Sequence, residues 1–149
     1  MDWDALVADF AKVAALAGVA LPPGAIEVQH QPAPHVPAAL PAGKMAVYVF
    51  VEGAAILKVG KAGPKSSARF ASQHYGFNAP STLAKSLIKD GARGLAQDDI
   101  GNWMRGNLGR VNFLLPASLG VDVLSLLEAF LHCRLRPVFE GFASQRGAA

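Results

Sequence analysis

Tyr48, Lys58, Arg69 and His74 fall within one short stretch, Met45 to His74, which reads MAVYVFVEGAAILKVGKAGPKSSARFASQH. A phenol, an ammonium, a guanidinium and an imidazole form a set that phosphodiester hydrolysis can use. That reaction needs a water made nucleophilic, charge neutralised on the phosphoryl oxygens, and help for the leaving oxygen. A Tyr beside cations can have its pKa lowered and serve as a general base, and a nearby Lys favours the phenolate. Arg offers a planar fork for phosphate oxygens. Far along the chain stands a single carboxylate, Glu128. One carboxylate can hold Mg²⁺, which keeps most of its waters and takes a substrate phosphate as a further ligand.

These side chains need elements to position them. The apolar run Met45 to Val51 and the shorter run Ile56 to Val59 flank the turn-prone patch Glu52-Gly53-Ala54-Ala55, which predicts an antiparallel hairpin. With an odd number of loop residues, Tyr48 lies opposite Lys58 on one face. Gly60 to Pro64 breaks the second strand, and Ser66 or Ser67 caps a helix carrying Arg69 and His74. Arg110 to Leu115 (RVNFLL) reads as a third strand. Val121 to Leu135 is a helix apolar on nearly every face, which marks it as central. Leu124, Leu127, Leu131 and Leu135 form one stripe with Glu128 inside it. A carboxylate on a buried face costs several kcal/mol unless it is paired or binds a cation.

Around this centre the chain predicts further pieces. Residues 1–20 form an amphipathic helix, with Trp3, Leu6, Val7, Phe10, Val13 and Ala14 at helical spacing, Asp2 or Asp4 as cap and Gly18 as stop. It is either a flap on the main domain or a surface for a homodimer or protein partner. Residues 21–44 hold six of the ten prolines and read as a linker or extended strap. His30 and His35 there read as solvated loop histidines. Ser81 caps a helix over Thr82 to Lys89 that puts Lys85 and Lys89 on one face. Asp98 or Asp99 opens another through Trp103 and Met104 to Gly106-Asn107. Tyr75, Trp103 and Cys133 read as packing residues. The main domain spans residues 45–142, with Val138 to Gly141 as an edge segment, and residues 143–149 form a frayed tail.

Hydrophobic content of 52% against 17% charge predicts a compact globule rather than a disordered chain. The net charge of +3 is mild, but Gly53 to Val121 carries nine Lys and Arg against Asp90, Asp98 and Asp99, so the middle of the chain is distinctly basic. One cysteine excludes an internal disulfide framework and a multi-Cys zinc site, and points to a reducing compartment. The acidic start MDWDALVADF does not read as a signal peptide, and no apolar run reaches membrane-spanning length. The expectation is a cytoplasmic protein with no membrane partner.

The order of the motifs resembles that of the GIY-YIG nuclease family. Ala46-Val47-Tyr48 stands for the first motif. Lys58-Val59-Gly60 stands for the second, with Lys58 ten residues after the Tyr, and Arg69 follows nine residues past that Gly. The run LLEAFLHCRLRPVFE resembles the family's final segment, a helical Glu followed by a Pro and then an Asn. The likeness covers about Met45 to Gly141. Two positions depart from it. Lys58 replaces the second-motif Tyr, as in some restriction-enzyme members of the family, and Glu140 stands where the late Asn belongs.

The resemblance implies an α/β (α+β) fold in which a small three-stranded sheet, mixed or antiparallel, is flanked by helices. It implies a metal-dependent endonuclease that hydrolyses DNA phosphodiester bonds with Mg²⁺ or Mn²⁺ and no covalent intermediate. Tyr48 is then the general base, Lys58 holds it deprotonated or positions the water, and Arg69 stabilises the scissile phosphate. Glu128 ligates the metal, His74 assists the proton relay, and Glu140 either assists the metal or pairs with an Arg. Lys61, Lys85, Lys89, Arg105 and Arg110 are candidates for salt-sensitive contacts with the DNA backbone. The alternative function is a binding or interaction module that retains the fold without the activity.

Overall fold

The computed structural model describes residues 1–139, so Glu140 and the predicted tail lie outside the described residues. Helix α1 (Trp3–Leu16) is followed by strands β1 (Glu27–Gln31), β2 (Lys44–Glu52) and β3 (Ala55–Ala62), then by α2 (Ser67–Ala71) and a 3₁₀ turn over Gln73–Tyr75. Helices α3 (Leu83–Asp90) and α4 (Ile100–Asn107), strand β4 (Gly109–Pro116), a second 3₁₀ turn and α5 (Val121–Leu135) complete it. The sheet has four strands in the order β1-β4-β2-β3, and every neighbouring pair is antiparallel.

The fourth strand corrects the three-stranded expectation. It comes from the Pro-rich segment read as a linker: Glu27 to Gln31 pairs with Leu114 to Arg110 along the outer edge of β4. Its six prolines lie on either side of this run, Pro22 and Pro23 before it and Pro32, Pro34, Pro37 and Pro41 after it, where no ladder donor is needed. β1 has no sustained apolar alternation, so periodicity does not reveal it; the unpaired edge of β4 decides it.

Helices cover both faces of the sheet, which is why β2 and β4 are apolar almost without interruption. On one face Met45, Val47, Val49, Val59, Val111, Phe113 and Leu115 pack against Leu6, Phe10 and Ala14 of α1 and Val123, Leu124, Leu127 and Leu131 of α5. On the other, Ala46, Tyr48, Phe50 and Leu114 meet Phe70, Tyr75, Leu83, Leu87, Ile100 and Met104. Helix α1 is therefore a wall of the core, as the flap reading expects. Asp2 caps it by accepting from the Ala5 N–H at 3.0 Å, and Asp9 pairs with Arg134 of α5 at 2.8 Å. Phe10 is fully buried beside Phe130, with ring centres 5.7 Å apart. Phe10→Ala is expected to cost about 3–5 kcal/mol of stability, read as a lower urea midpoint with an unchanged slope.

The hairpin departs from the expected register in an informative way. Its loop has two residues, Gly53 and Ala54, since Glu52 pairs with Ala55 and Val51 with Ile56. Gly53 supplies the positive φ of 58° that such a tight connection requires. Continued without interruption, that register would set Val59 opposite Tyr48 and turn Lys58 toward α5. A β-bulge between Phe50 and Val51 inserts one residue, so Phe50 pairs with Lys58 and Tyr48 with Gly60. Lys58 is thus on the Tyr48 face but two pairs further along, not directly opposite.

Candidate active site

Tyr48 lies at the middle of β2, fully buried, with its ring laid across Gly60 of the edge strand. A Cβ at Gly60 would stand 2.8 Å from the Tyr48 Oη and Cε2 and 2.9 Å from its Cζ. The glycine of the second motif is therefore the floor under the phenol, and any side chain there would displace the ring. Gly60→Ala is expected to destabilise the protein by about 1–3 kcal/mol and to reduce any Tyr48-dependent activity; urea unfolding and cleavage assays check the two effects.

The Tyr48 Oη lies 2.6 Å from His74 Nε2. The other imidazole nitrogen, Nδ1, accepts from the Leu83 N–H at 3.1 Å, at the start of α3. A nitrogen that accepts carries no proton, so the neutral ring has its hydrogen on Nε2 and donates it to Tyr48. His74 therefore holds the phenol oxygen as an acceptor and does not take its proton, which refines the expected relay role. Burial drives the imidazole pKa down to about 2, reinforced by the positive charges of Arg69, Lys58 and Arg110, so the ring stays neutral at physiological pH.

Burial also pushes the Tyr48 phenol up to about 12, and the charge of Glu128 adds to it. Arg69 and Arg110 pull in the opposite direction. Arg69 projects from the short α2, and its guanidinium donates to the Pro80 and Ser81 carbonyls at 2.9 and 3.2 Å. Ser81 sits in the left-handed region at φ 52°, a conformation a non-glycine residue holds only when its surroundings compel it. The helix cap expected at Ser81 is at Thr82, whose Oγ1 accepts from the Lys85 N–H and donates to the Gly76 carbonyl. Lys58, nearly buried, borders an open cleft of about 480 Å³ with Ser81, Ser86, Lys89, Asp90, Val138 and Phe139. The expected edge segment is present to this extent: the Val138 and Phe139 N–H groups donate to the Ile56 and Leu57 carbonyls of β3.

Glu128 stands on the shoulder of α5 rather than within a buried stripe, with its side chain 22% exposed. Its Oε2 lies 2.7 Å from Lys61 Nζ, and its Oε1 lies 3.8 Å from His132 Nε2. Burial works to raise its pKa, but His132 and Lys61 prevail and hold it below the usual carboxylate value. Lys61 is on the side of β3 away from Gly60, so the carboxylate approaches the strand from one face while the phenol approaches from the other. Among the described residues, no three or more His, Cys, Asp and Glu groups gather as a metal cage. Glu128 is a single carboxylate already paired with Lys61. One carboxylate would suit a cation that retains waters, such as Mg²⁺ or Mn²⁺, better than Zn²⁺, and only in exchange for that pair.

The basic residues divide. Lys61, Lys85 and Lys89 are exposed, with Lys85 Nζ donating to the Ala79 carbonyl at 2.7 Å. Arg105 lies over the Tyr75 ring, 5.0 Å from its centre. Arg110, expected as a backbone contact, is instead 1% exposed and among the largest fully buried side chains. So enclosed a group does not present itself to a polynucleotide. The phase of β4 carried a signal: Arg110, Asn112 and Leu114 alternate onto one face of a covered strand.

His35 and Cys133 also differ from expectation. His35 is buried, its Nδ1 2.8 Å from the Leu108 carbonyl and its Nε2 2.6 Å from the Tyr75 hydroxyl, while Cys133 is exposed rather than packed. His30 is exposed as expected, and no helix among the described residues is long and apolar enough to cross a membrane. Compared with protein-family models, curated proteins and solved structures, the chain finds no match in any of the three.

Proposed function

We propose that this protein is a metal-dependent endonuclease of the GIY-YIG kind, which hydrolyses phosphodiester bonds in DNA with Tyr48 as general base. The observation that carries the reading is the 2.6 Å bond between Tyr48 Oη and His74 Nε2, with its direction set by the Leu83 amide. That bond occupies one lone pair of the phenol oxygen, and Arg69, a donor only, acts on the same oxygen as positive charge. Arg69 and Lys58 supply positive charge for a phosphoryl group and for the phenolate as it forms. Glu128 is the residue that would hold the divalent cation, which when bound neutralises phosphoryl charge and makes water a better nucleophile. Lys85 and Lys89, exposed on α3, fit backbone phosphates flanking the cut.

The test is conversion of supercoiled plasmid to nicked or linear form in Mg²⁺ or Mn²⁺. Cutting by the wild type that fails in Tyr48→Phe and Glu128→Gln supports the reading. Cutting that persists in both removes this site from the reaction. A second reading, a nucleic-acid-binding module without activity, draws on the phenol's high pKa and on the Lys61–Glu128 ion pair. It predicts salt-sensitive DNA binding with no cutting in either metal.

A further inference from the structure

The least expected group in the molecule is Arg110. Its guanidinium carbon lies 4.8 Å from the centre of the Tyr48 ring, 5.2 Å from that of Phe50 and 4.5 Å from that of Phe70. Its Nε donates to Asn112 Oδ1 at 2.8 Å, and its Nη1 to the Tyr75 hydroxyl at 3.3 Å. Among the described residues no carboxylate pairs with it, and its buried Nη2 has no hydrogen-bond partner. Taking a charge out of water with no opposite charge beside it is costly, and the three ring faces offset only part of that cost. A Met of similar length would fill the same space without desolvating a charge, and such exchanges are often neutral or stabilising. Packing therefore does not account for a guanidinium at this position.

The network behind it is directional. His35 Nδ1–H donates to the Leu108 carbonyl, so its Nε2 accepts the Tyr75 O–H, and the Tyr75 oxygen is left to accept from Arg110. Asn112 is steadied in turn by its amide donating to Gln31 Oε1 at 3.2 Å. The Tyr48 phenol is hydrogen-bonded to His74 of the 3₁₀ turn, and the charges that act on it are Arg69 of α2, Arg110 of β4 and, from across β3, Glu128 of α5. Lys58 of β3 faces His74, and α3 contributes the Leu83 amide. Of the cations acting on Tyr48, Arg69 is partly exposed on the cleft side; Arg110 alone is enclosed, where its charge is least screened.

We propose that Arg110 is a positioning residue for Tyr48: its buried guanidinium holds the ring over Gly60 and supplies fixed positive charge to the oxygen when it acts as a base. The proposal rests on the nuclease reading for its purpose, but its test needs no substrate. The chain has two tyrosines, and Arg110 also contacts Tyr75. Tyrosinate absorbance after rapid mixing into alkaline buffer is therefore compared with Tyr48→Phe made in each Arg110 background, which isolates Tyr48. In Arg110→Met the Tyr48 phenol is expected to be about tenfold less ionised at any given alkaline pH below its midpoint. The variant should remain folded, the buried Asn112 Oδ1 left without its donor offsetting the relief of charge burial, and Arg110→Lys should restore part of the ionisation. In cleavage, kcat should fall about tenfold with KM unchanged.

A folded Arg110→Met whose Tyr48 ionises like the wild type overturns the proposal. Should the Met variant not fold, Arg110→Gln, which keeps a hydrogen-bonding amide but no charge, is read the same way. Weakened Tyr48 ionisation in Arg110→Met, in a protein that cuts no nucleic acid, overturns the nuclease reading alone. Unchanged Tyr48 ionisation in a protein that does cut overturns the role of Arg110 alone.

Discussion

Tyr48→Phe is expected to lower plasmid cleavage by about 10²- to 10⁴-fold, the range over which a positioned general base contributes. The ring keeps its place over Gly60 and among Phe50 and Phe70, so the packing of the face is retained. What disappears is the acceptor for His74 Nε2–H. A buried donor left without a partner costs about 1–3 kcal/mol, so the variant should unfold at lower urea while remaining folded under assay conditions.

The pH dependence separates that stability loss from a catalytic one. With the free phenol near pH 12, the ionised fraction at neutral pH is small and rises tenfold per pH unit. Wild-type kcat/KM should therefore climb about tenfold per unit between roughly pH 6 and 9, with the plateau reached only at higher pH. His74, neutral above about pH 2, adds no acid limb to that range. Tyr48→Phe should abolish the slope along with the rate. A wild-type profile flat across this range would remove Tyr48 from the role of base.

The two ionisations carry a stability consequence with opposite signs at the two ends of the scale. Tyr48 is raised in the folded state, so its contribution is complete below the unfolded phenol value and is lost as pH rises through about 12. His74 is lowered, so its contribution is complete above the unfolded imidazole value, 6.5, and declines as pH falls toward about 2.

Glu128→Gln is expected to abolish the divalent-cation requirement by abolishing the activity, with a loss of about 10³-fold or more if the cation contributes several kcal/mol. The amide keeps the shape of the carboxylate but not its charge. The Lys61 side chain is 41% exposed at its end of the ion pair, and a pair open to solvent on that side contributes about 1 kcal/mol or less. The melting temperature in metal-free buffer should therefore hardly move. Mn²⁺ binding followed by calorimetry or electron paramagnetic resonance should weaken at least tenfold, which a purely structural Glu128 would not predict. Because Lys61 and the cation compete for the same oxygens, Mn²⁺ should also raise the wild-type melting temperature and leave that of the variant in place. Undiminished Mn²⁺ binding by Glu128→Gln would move the metal site elsewhere.

Much of this site is legible without any tertiary contact, because local rules carry it. Apolar runs of strand length flanking a Gly-containing turn predict a hairpin wherever the rest of the chain goes. Helical spacing from Trp3 to Ala14, with Asp2 before it and Gly18 after it, predicts α1. Tyr48, Lys58, Arg69, His74 and Glu128 stand out as groups whose chemistry exceeds what their elements need. Gly60 belongs to a motif for which the sequence offers no physical reason; the Tyr48 ring lying on it supplies one.

Longer-range geometry decided the rest. The bulge at Phe50 turns Lys58 onto the Tyr48 face, and hairpin patterning does not specify a bulge. β1 forms because β4 offers an unpaired edge, a feature absent from the sequence of β1 itself. The tautomer of His74 depends on an amide nine residues away in sequence, and that of His35 on a carbonyl 73 residues away. Arg110 illustrates the division most fully. A basic residue in a basic stretch reads as a surface charge, because composition carries no information on which face of a strand will be covered. Only the packing of α2 and the 3₁₀ turn over β2 and β4 encloses it, and only enclosure turns an ordinary cation into a group able to govern the ionisation of the tyrosine it touches.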